Sequence, residues 1–320
     1  MPERVALEQD APGDPAGRPG GSVGAALVTG GAGFAGRHLV EALHGEASSV
    51  FAPPSSELDL RDRAAVTAAM ADVHPDVVFH LAAFSSPRLS WEHPDSALLT
   101  NLELTLNVLE AVRASAPAAV LVLVGSGQVY GAPAEMPVTE DAPLHPGNPY
   151  AVSKASADLL GAQYADAHGL RVVRLRPFNH AGPGQSDEYV LSSLACQVAE
   201  AEAAGAAEVV LRTGDVSSAR DFTDVRDIVE AYIMAASVEP GAYNVCSGTC
   251  VSVADLIEAL ATESGLTVRH EVDPERLRPN DAPEMRGSHD RFTAATGWEP
   301  RIPLADTVRD TLAWWRIQQG

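Results

Sequence analysis

Short apolar runs punctuate the first half of the chain. Val23 to Val28, Ser49 to Ala52, Val77 to Ala83, Ala118 to Val124 and Arg171 to Arg176 read as strands, most of them apolar throughout. Runs of that length bounded by turn residues suit strands of a covered sheet. Between them lie helix patterns: Arg37 to Leu43, a helix that carries Asn101 and runs to Val112, and an Ala-rich helix from Tyr150 to about His168. Asp59-Leu60 is expected at a further short strand. After Arg176 the alternation breaks down. Pro177 to Gln185 is rich in Pro and Gly and reads as a loop at a strand end. Val209 to Arg212 is a short strand, and Ile228 to Ala236 a helix with Thr223 or Asp224 as its N-cap. Ala242 to Cys246 is expected to rejoin the sheet. Val253 to Ser264 is a helix capped by Ser252, and Leu304 to Ile317 closes the chain. No internal repeat is visible.

Composition narrows the partners. A formal charge of −21 argues against nucleic acid or an anionic membrane surface. No apolar run is long enough to span a bilayer. Residues 1–22 lack an apolar signal core and are rich in Pro, Gly and acids, so they are expected to form a disordered extension and the protein to be cytoplasmic. Cys196, Cys246 and Cys250 suggest neither a disulfide framework nor a zinc set, because no second Cys or His pair completes one.

Two stretches carry chemistry. The first strand runs into Thr29-Gly30-Gly31-Ala32-Gly33-Phe34-Ala35-Gly36 and then a helix. That is the first half of a dinucleotide site, with Gly30 for the tight turn, Gly33 for approach of the pyrophosphate and Gly36 for helix packing. The second strand ends in Ala52-Pro53-Pro54. It offers neither an acid for the ribose hydroxyls nor an evident arginine for a 2′-phosphate, so NAD and NADP both stay open. Asp59 suits the adenine amino group or an ordinary turn. After Leu81 the strand leads into small residues, Ala82 and Ala83, which let a cofactor pass over its end. Asn101 is either an internal polar hub or a surface residue.

The second stretch is Ser126 to Lys154. Tyr150 and Lys154 share one helix face because they lie four residues apart. An ammonium beside a phenol favours phenolate, so Lys154 is expected to tune Tyr150 downward as an acid/base. Ser126 follows an apolar strand and so sits at its C-terminal end, where open α/β sheets hold ligands.

Assembled in this order, the residues resemble the extended short-chain dehydrogenase/reductase family of nucleotide-sugar epimerases, dehydratases and reductases, from about Val23 to Trp315. The carriers are the glycine turn, Asp59-Leu60, Leu81-Ala82-Ala83, Val129-Tyr130-Gly131, Tyr150 with Lys154, and Arg220-Asp221-Phe222-Thr223-Asp224-Val225. The resemblance implies an α/β fold: a Rossmann doubly wound parallel sheet over residues 23–179, with a late return near 208–248, and a smaller C-terminal α/β substrate-binding domain over 180–320. It implies Ser126, Tyr150 and Lys154 as the catalytic set. It implies Gly30, Gly33, Phe34, Ala35, Asp59, Leu60, Leu81, Ala82 and Ala83, with Tyr150 and Lys154, beside NADP or NAD, and a homodimer through the 101–114 and 150–168 helices.

Asn179 to Gln185, Arg278-Pro279-Asn280-Asp281 and Gly297-Trp298-Glu299-Pro300 resemble the GDP-mannose branch most. By that resemblance Asn179, Arg212, Arg220 and Arg278 would hold a nucleotide diphosphate, a role for which planar guanidinium groups are suited. Dehydratases of the branch need a carboxylate where this chain has Gln128, and an amide takes up no proton at neutral pH. The implied reaction is therefore 4-keto reduction of a nucleotide-linked 6-deoxyhexose, GDP-4-keto-6-deoxy-D-mannose to GDP-D-rhamnose, with Ser126 and Gln128 at the keto oxygen. A 4-epimerase, then a GDP-mannose 4,6-dehydratase or a nucleotide-sensing protein without turnover, are the alternatives.

Overall fold

The computed structural model describes residues 23–276 and 282–319. The readings for residues 1–22 and for Arg278 lie outside them. From the N-terminal side, β1 (Val23–Thr29) passes through the glycine turn into α1 (Phe34–Leu43), followed by β2 (Ala47–Phe51), α2 (Arg63–Val73) and β3 (Val77–His80). Next come α3 (Pro87–Glu92), α4 (Pro94–Ser115), β4 (Val120–Val124), α5 (Pro149–His168) and β5 (Arg171–Pro177). The chain continues through β6 (Asn179–Ala181), α6 (Val190–Ala203), β7 (Glu208–Thr213), β8 (Ala219–Asp224) and α7 (Val225–Met234) to β9 (Gly241–Val245). It ends with β10 (Cys250–Ser252), α8 (Val253–Ser264), β11 (Thr267–Val272), β12 (Glu284–Met285), α9 (Asp290–Thr296) and α10 (Leu304–Gln319).

The main sheet has six parallel strands in the order β2-β1-β3-β4-β5-β9. Both faces are covered, which is why β4 reads Val-Leu-Val-Leu-Val and β3 is buried end to end. One face packs Val28, Phe79, Val122 and Val173 with Leu39 of α1 and Ile228 and Tyr232 of α7. The other packs Leu27, Val78 and Leu121 with Met70 of α2 and Val108 and Val112 of α4. Strand order reverses between β1 and β3, and ligands of open α/β sheets bind at the carboxyl ends beside such a switch point.

The second lobe has its own core, where Leu191, Leu194 and Val198 of α6 meet Leu256 and Leu260 of α8 and Val308 and Leu312 of α10. Its strands form two small sheets. β8 pairs with β6, β10 and β12, while β7 pairs with β11. The return to the main sheet is made by α7 and β9, and β7 does not join it.

The structure moves several sequence boundaries. No strand forms at Asp59-Leu60: β2 is the sheet edge, Pro53 and Pro54 follow it, and Asp59 sits in a turn. β3 stops at His80, leaving Leu81, Ala82 and Ala83 in the loop. The Asn101 helix begins two turns earlier, at Pro94. Asp224 is the N-cap of α7, its carboxylate accepting from Arg226 N. Ser252 caps α8 in a reciprocal box with Asp255.

Candidate active site

The glycine turn is shaped by close approach. A Cβ on Gly30 would lie 2.6 Å from Ala82 N, and one on Gly36 would lie 2.1 Å from the Gly30 carbonyl oxygen. Gly30 also takes a positive φ of 76°. Only glycine fits both demands. The turn thus brings β1, the Leu81–Ala83 loop and the N-terminus of α1 together, with Gly33 as N-cap of that helix. A helix N-terminus beneath bare backbone is a phosphate cradle. The second lobe reaches over it. Phe34 stacks on His180 at 5.9 Å, His38 Nε2 meets the Pro183 carbonyl at 2.9 Å, and Arg37 donates to the Gly184 carbonyl at 3.0 Å. Burial holds His180 below its ordinary pKa.

Ser126, Tyr150 and Lys154 come together at the end of β4. Each is buried, at 8%, 8% and 7% exposure respectively. Lys154 Nζ donates to the Val124 carbonyl at 2.9 Å. Burial lowers Lys154 to about 8. Tyr150 goes the opposite way from the sequence expectation. Burial pushes the phenol above its ordinary value, and a hydrogen bond with Ser126 partly offsets that. Desolvation disfavours phenolate more than any partner favours it. Tyr150 therefore keeps its proton in this state and stands as an acid.

Asn101 resolves as the internal hub. Its Oδ1 accepts from Phe84 N at 2.6 Å, and its Nδ2 donates to Phe84 O at 3.1 Å and to Ser153 Oγ at 2.8 Å. Ser153 in turn donates to the Tyr150 carbonyl at 2.7 Å. The loop after β3 and the catalytic turn of α5 are thus tied to one amide. His80 lies behind Lys154, bonded to Thr29 Oγ1 at 2.7 Å and to Thr105 Oγ1 at 3.4 Å. Burial, with the Lys154 charge, holds His80 at about 3, so it is neutral.

A buried ion cluster braces the middle of α5. Asp158 accepts from Arg176 Nε at 2.9 Å and Nη2 at 3.0 Å, and from Arg174 Nη1 at 2.7 Å. Arg176 also donates to Tyr130 Oη at 2.8 Å, and that hydroxyl donates to Asn244 of β9 at 2.7 Å.

The substrate side is more scattered. Asn179 sits half-buried on β6, opposite Phe222 of β8. Arg220 is half-buried on β8. The adjoining Asp221 carboxylate fixes that strand by accepting from Ser247 N, Ser247 Oγ, Gly248 N and Gly287 N. Arg212 is exposed on the β7–β11 ribbon, where its main chain bonds the Gln197 side chain. Asp59 is clamped by its neighbour Arg61, which donates to both carboxylate oxygens and holds the carboxyl below its ordinary value.

Four site residues escaped sequence reasoning. Tyr189, at the start of α6, donates to the Ser85 carbonyl at 3.2 Å across the cleft and faces Tyr150 electrostatically. Arg276 donates to Ser193 of α6 at 3.1 Å. Neither carries a local signal, since lobe-to-lobe contacts depend on topology. His80 reads as one more strand residue. Asn148 did carry a signal: an Asn before a Pro at the first helical position is an N-cap pattern.

A model of the NAD dependent epimerase/dehydratase family matches residues 26–246. The chain belongs to that family. It is 38% identical over 295 residues to a GDP-6-deoxy-D-mannose reductase of Pseudomonas aeruginosa, covering 90% of this chain and 96% of that protein. A UDP-glucose 4-epimerase of Mycolicibacterium smegmatis is 30% identical, covering 91% and 98%. Among solved structures, that of RMD from Pseudomonas aeruginosa complexed with NADPH matches with a TM-score of 0.83 and 36% identity, covering 93% of this chain and all of that one. The family's fold, a parallel sheet with helices on both faces, is the one described here. The cofactor class is a nicotinamide dinucleotide, NAD or NADP. The cradle where a Cβ on Gly30 or Gly36 would strike backbone fits a pyrophosphate. Among the described residues no helix is long and apolar enough to cross a membrane, and no cluster of His, Cys, Asp or Glu suits a metal ion.

Proposed function

We propose that this protein is an NAD(P)H-dependent nucleotide-sugar 4-ketoreductase, reducing GDP-4-keto-6-deoxy-D-mannose to GDP-D-rhamnose. The observation that carries the reading is a buried Ser126–Tyr150–Lys154 set with an amide, Gln128, where a dehydratase needs a carboxylate. Similarity to a GDP-6-deoxy-D-mannose reductase over nine-tenths of the chain supports it. When bound, the nicotinamide would supply the hydride for sugar C4. The chain's own residues handle the oxygen. Tyr150 holds its proton until negative charge develops at that oxygen, then donates it. Ser126 orients the oxygen, and the Lys154 ammonium stabilises the phenolate left behind. Gly30, Gly33, Phe34, Ala35, Leu81, Ala82 and Ala83 line the cofactor path, with Asp59 at the adenine. Asn179 and Arg220 hold the nucleotide diphosphate, joined by Arg276, with Arg212 at the periphery.

The working unit in this reading is a homodimer. Leu99 and Leu102 on α4 and Val152 and Leu159 on α5 are exposed apolar residues on two helices that pack side by side. A second copy of the same pair would cover them.

The test is an absorbance assay of reduced coenzyme, with the keto sugar generated in place by a dehydratase. Stoichiometric oxidation of NADH or NADPH supports the reading, and the faster coenzyme identifies the preferred one. No oxidation with either rejects this substrate and moves weight to a 4-epimerase, a reaction for which the same three side chains suffice.

A further inference from the structure

Gln128 lies in the turn after β4, two residues beyond Ser126, and its own N–H donates to Ser126 Oγ at 3.2 Å. Its side chain is not free to choose an orientation. Asn148 is the N-cap of α5, and its Oδ1 accepts from Ala151 N at 2.8 Å. A backbone N–H can only donate, so the atom facing it must be the oxygen. The other end of the same amide is then Nδ2, which meets Gln128 Oε1 at 3.2 Å. A donor there requires an acceptor, so Gln128 turns its oxygen to Asn148. What remains is its Nε2 group, two N–H donors, which no acceptor among the described residues takes up.

We propose that Asn148 is a positioning residue which sets the Gln128 amide donor-outward, and that Gln128 Nε2 donates to an acceptor-only oxygen of the sugar, the keto oxygen foremost. This rests on the ketoreductase reading. The polarity of the site is thereby built from the helix cap: the backbone of α5 fixes Asn148, Asn148 fixes Gln128, and Gln128 selects a carbonyl. A donor aimed at an oxygen that gains negative charge contributes about a hundredfold to a thousandfold in rate.

Three variants test it. Gln128→Glu still offers Asn148 an oxygen, whereas Gln128→Met does not. Gln128→Glu is expected to melt with the wild type and Gln128→Met below both; Gln128→Glu melting below Gln128→Met overturns the relay. Asn148→Asp keeps a good helix cap but offers Gln128 only acceptors, so the amide turns its oxygen outward. Its kcat/KM for the keto sugar should fall about a hundredfold with coenzyme affinity unchanged, and wild-type kcat/KM refutes the positioning role.

The sharpest readout is pH. The carboxyl group introduced by Gln128→Glu accepts when ionised and donates when protonated. The kcat/KM of that variant, taken as a ratio to wild type to cancel Tyr150, Lys154 and Tyr189, should be depressed near pH 8 and recover towards about pH 5. A flat ratio overturns the donor role. If the wild type oxidises no coenzyme on the keto sugar, the proposed reaction fails, while the melting order still decides the orientation of the amide.

Discussion

Lys154 makes the protein less stable than it need be, and the size of that effect is calculable. Its side chain is 7% exposed, and burial lowers it from 10.5 to about 8. At about 1.4 kcal/mol per pKa unit this corresponds to about 3 kcal/mol against the charged form. The sign follows from proton counts. Above pH 10.5 the amine is neutral in folded and unfolded chains, and no penalty applies. As pH falls to about 8 the unfolded chain takes up its proton first, so stability declines. Below that the full penalty is present. Replacing Lys154 with Met removes it, and leaves the Val124 carbonyl without its donor at a cost of about 1 kcal/mol. The net expectation for Lys154→Met near pH 7 is a gain of about 2 kcal/mol, or about 4 °C in Tm for a chain of this size. Urea unfolding of both proteins without added coenzyme, at neutral pH and near pH 10, measures it. The advantage should shrink with rising pH and reverse slightly at the alkaline end. A Lys154→Met protein less stable than wild type at pH 7, or a difference indifferent to pH, refutes the reasoning. Turnover is expected to fall in the same variant, since sites are commonly kept at the expense of stability.

Tyr150→Phe should lower turnover about a thousandfold while leaving the coenzyme dissociation constant nearly unchanged, as read by fluorescence titration; near-normal turnover would remove Tyr150 as the acid. Asp158→Asn strands the Arg176 guanidinium in the interior with weaker partners, and should cost about 3–5 kcal/mol in chemical denaturation. Leu159→Glu, on the exposed face of α5, should shift the protein towards monomer in light scattering, and an unchanged mass would discard that interface. Arg220→Ala should weaken nucleotide-sugar binding far more than coenzyme binding in calorimetry; equal losses would take Arg220 out of the diphosphate site.

What could be read in the sequence was what depends on neighbours along the chain. The glycine turn shows because three steric demands fall within eight residues, and Tyr150 with Lys154 shows because helical spacing alone puts them on one face. β8 was hidden. Its Ala-Arg-Asp-Phe-Thr-Asp run looks like a polar loop, yet most of it is buried because Asp221 collects N–H groups from segments distant in sequence. The direction of the Tyr150 shift was hidden too, since the burial that decides it comes from both lobes. Arg212 was grouped with Arg220 by resemblance, and the pairing of β7 with β11 instead of β8 leaves it on the outside.

The sixth strand of the main sheet has a consequence for how the chain is made. Val173 of β5 pairs with Gly241 of β9, and the first half of the second lobe is synthesised between them. During translation the edge of β5 must wait, its N–H and C=O groups open to other strands, until β9 emerges. The closing step joins distant segments and is entropically slow. A fragment ending near residue 180 therefore lacks both β9 and the α7 helix that covers one face beside α1, and is expected to aggregate instead of folding as half an enzyme. The two lobes share one folding event.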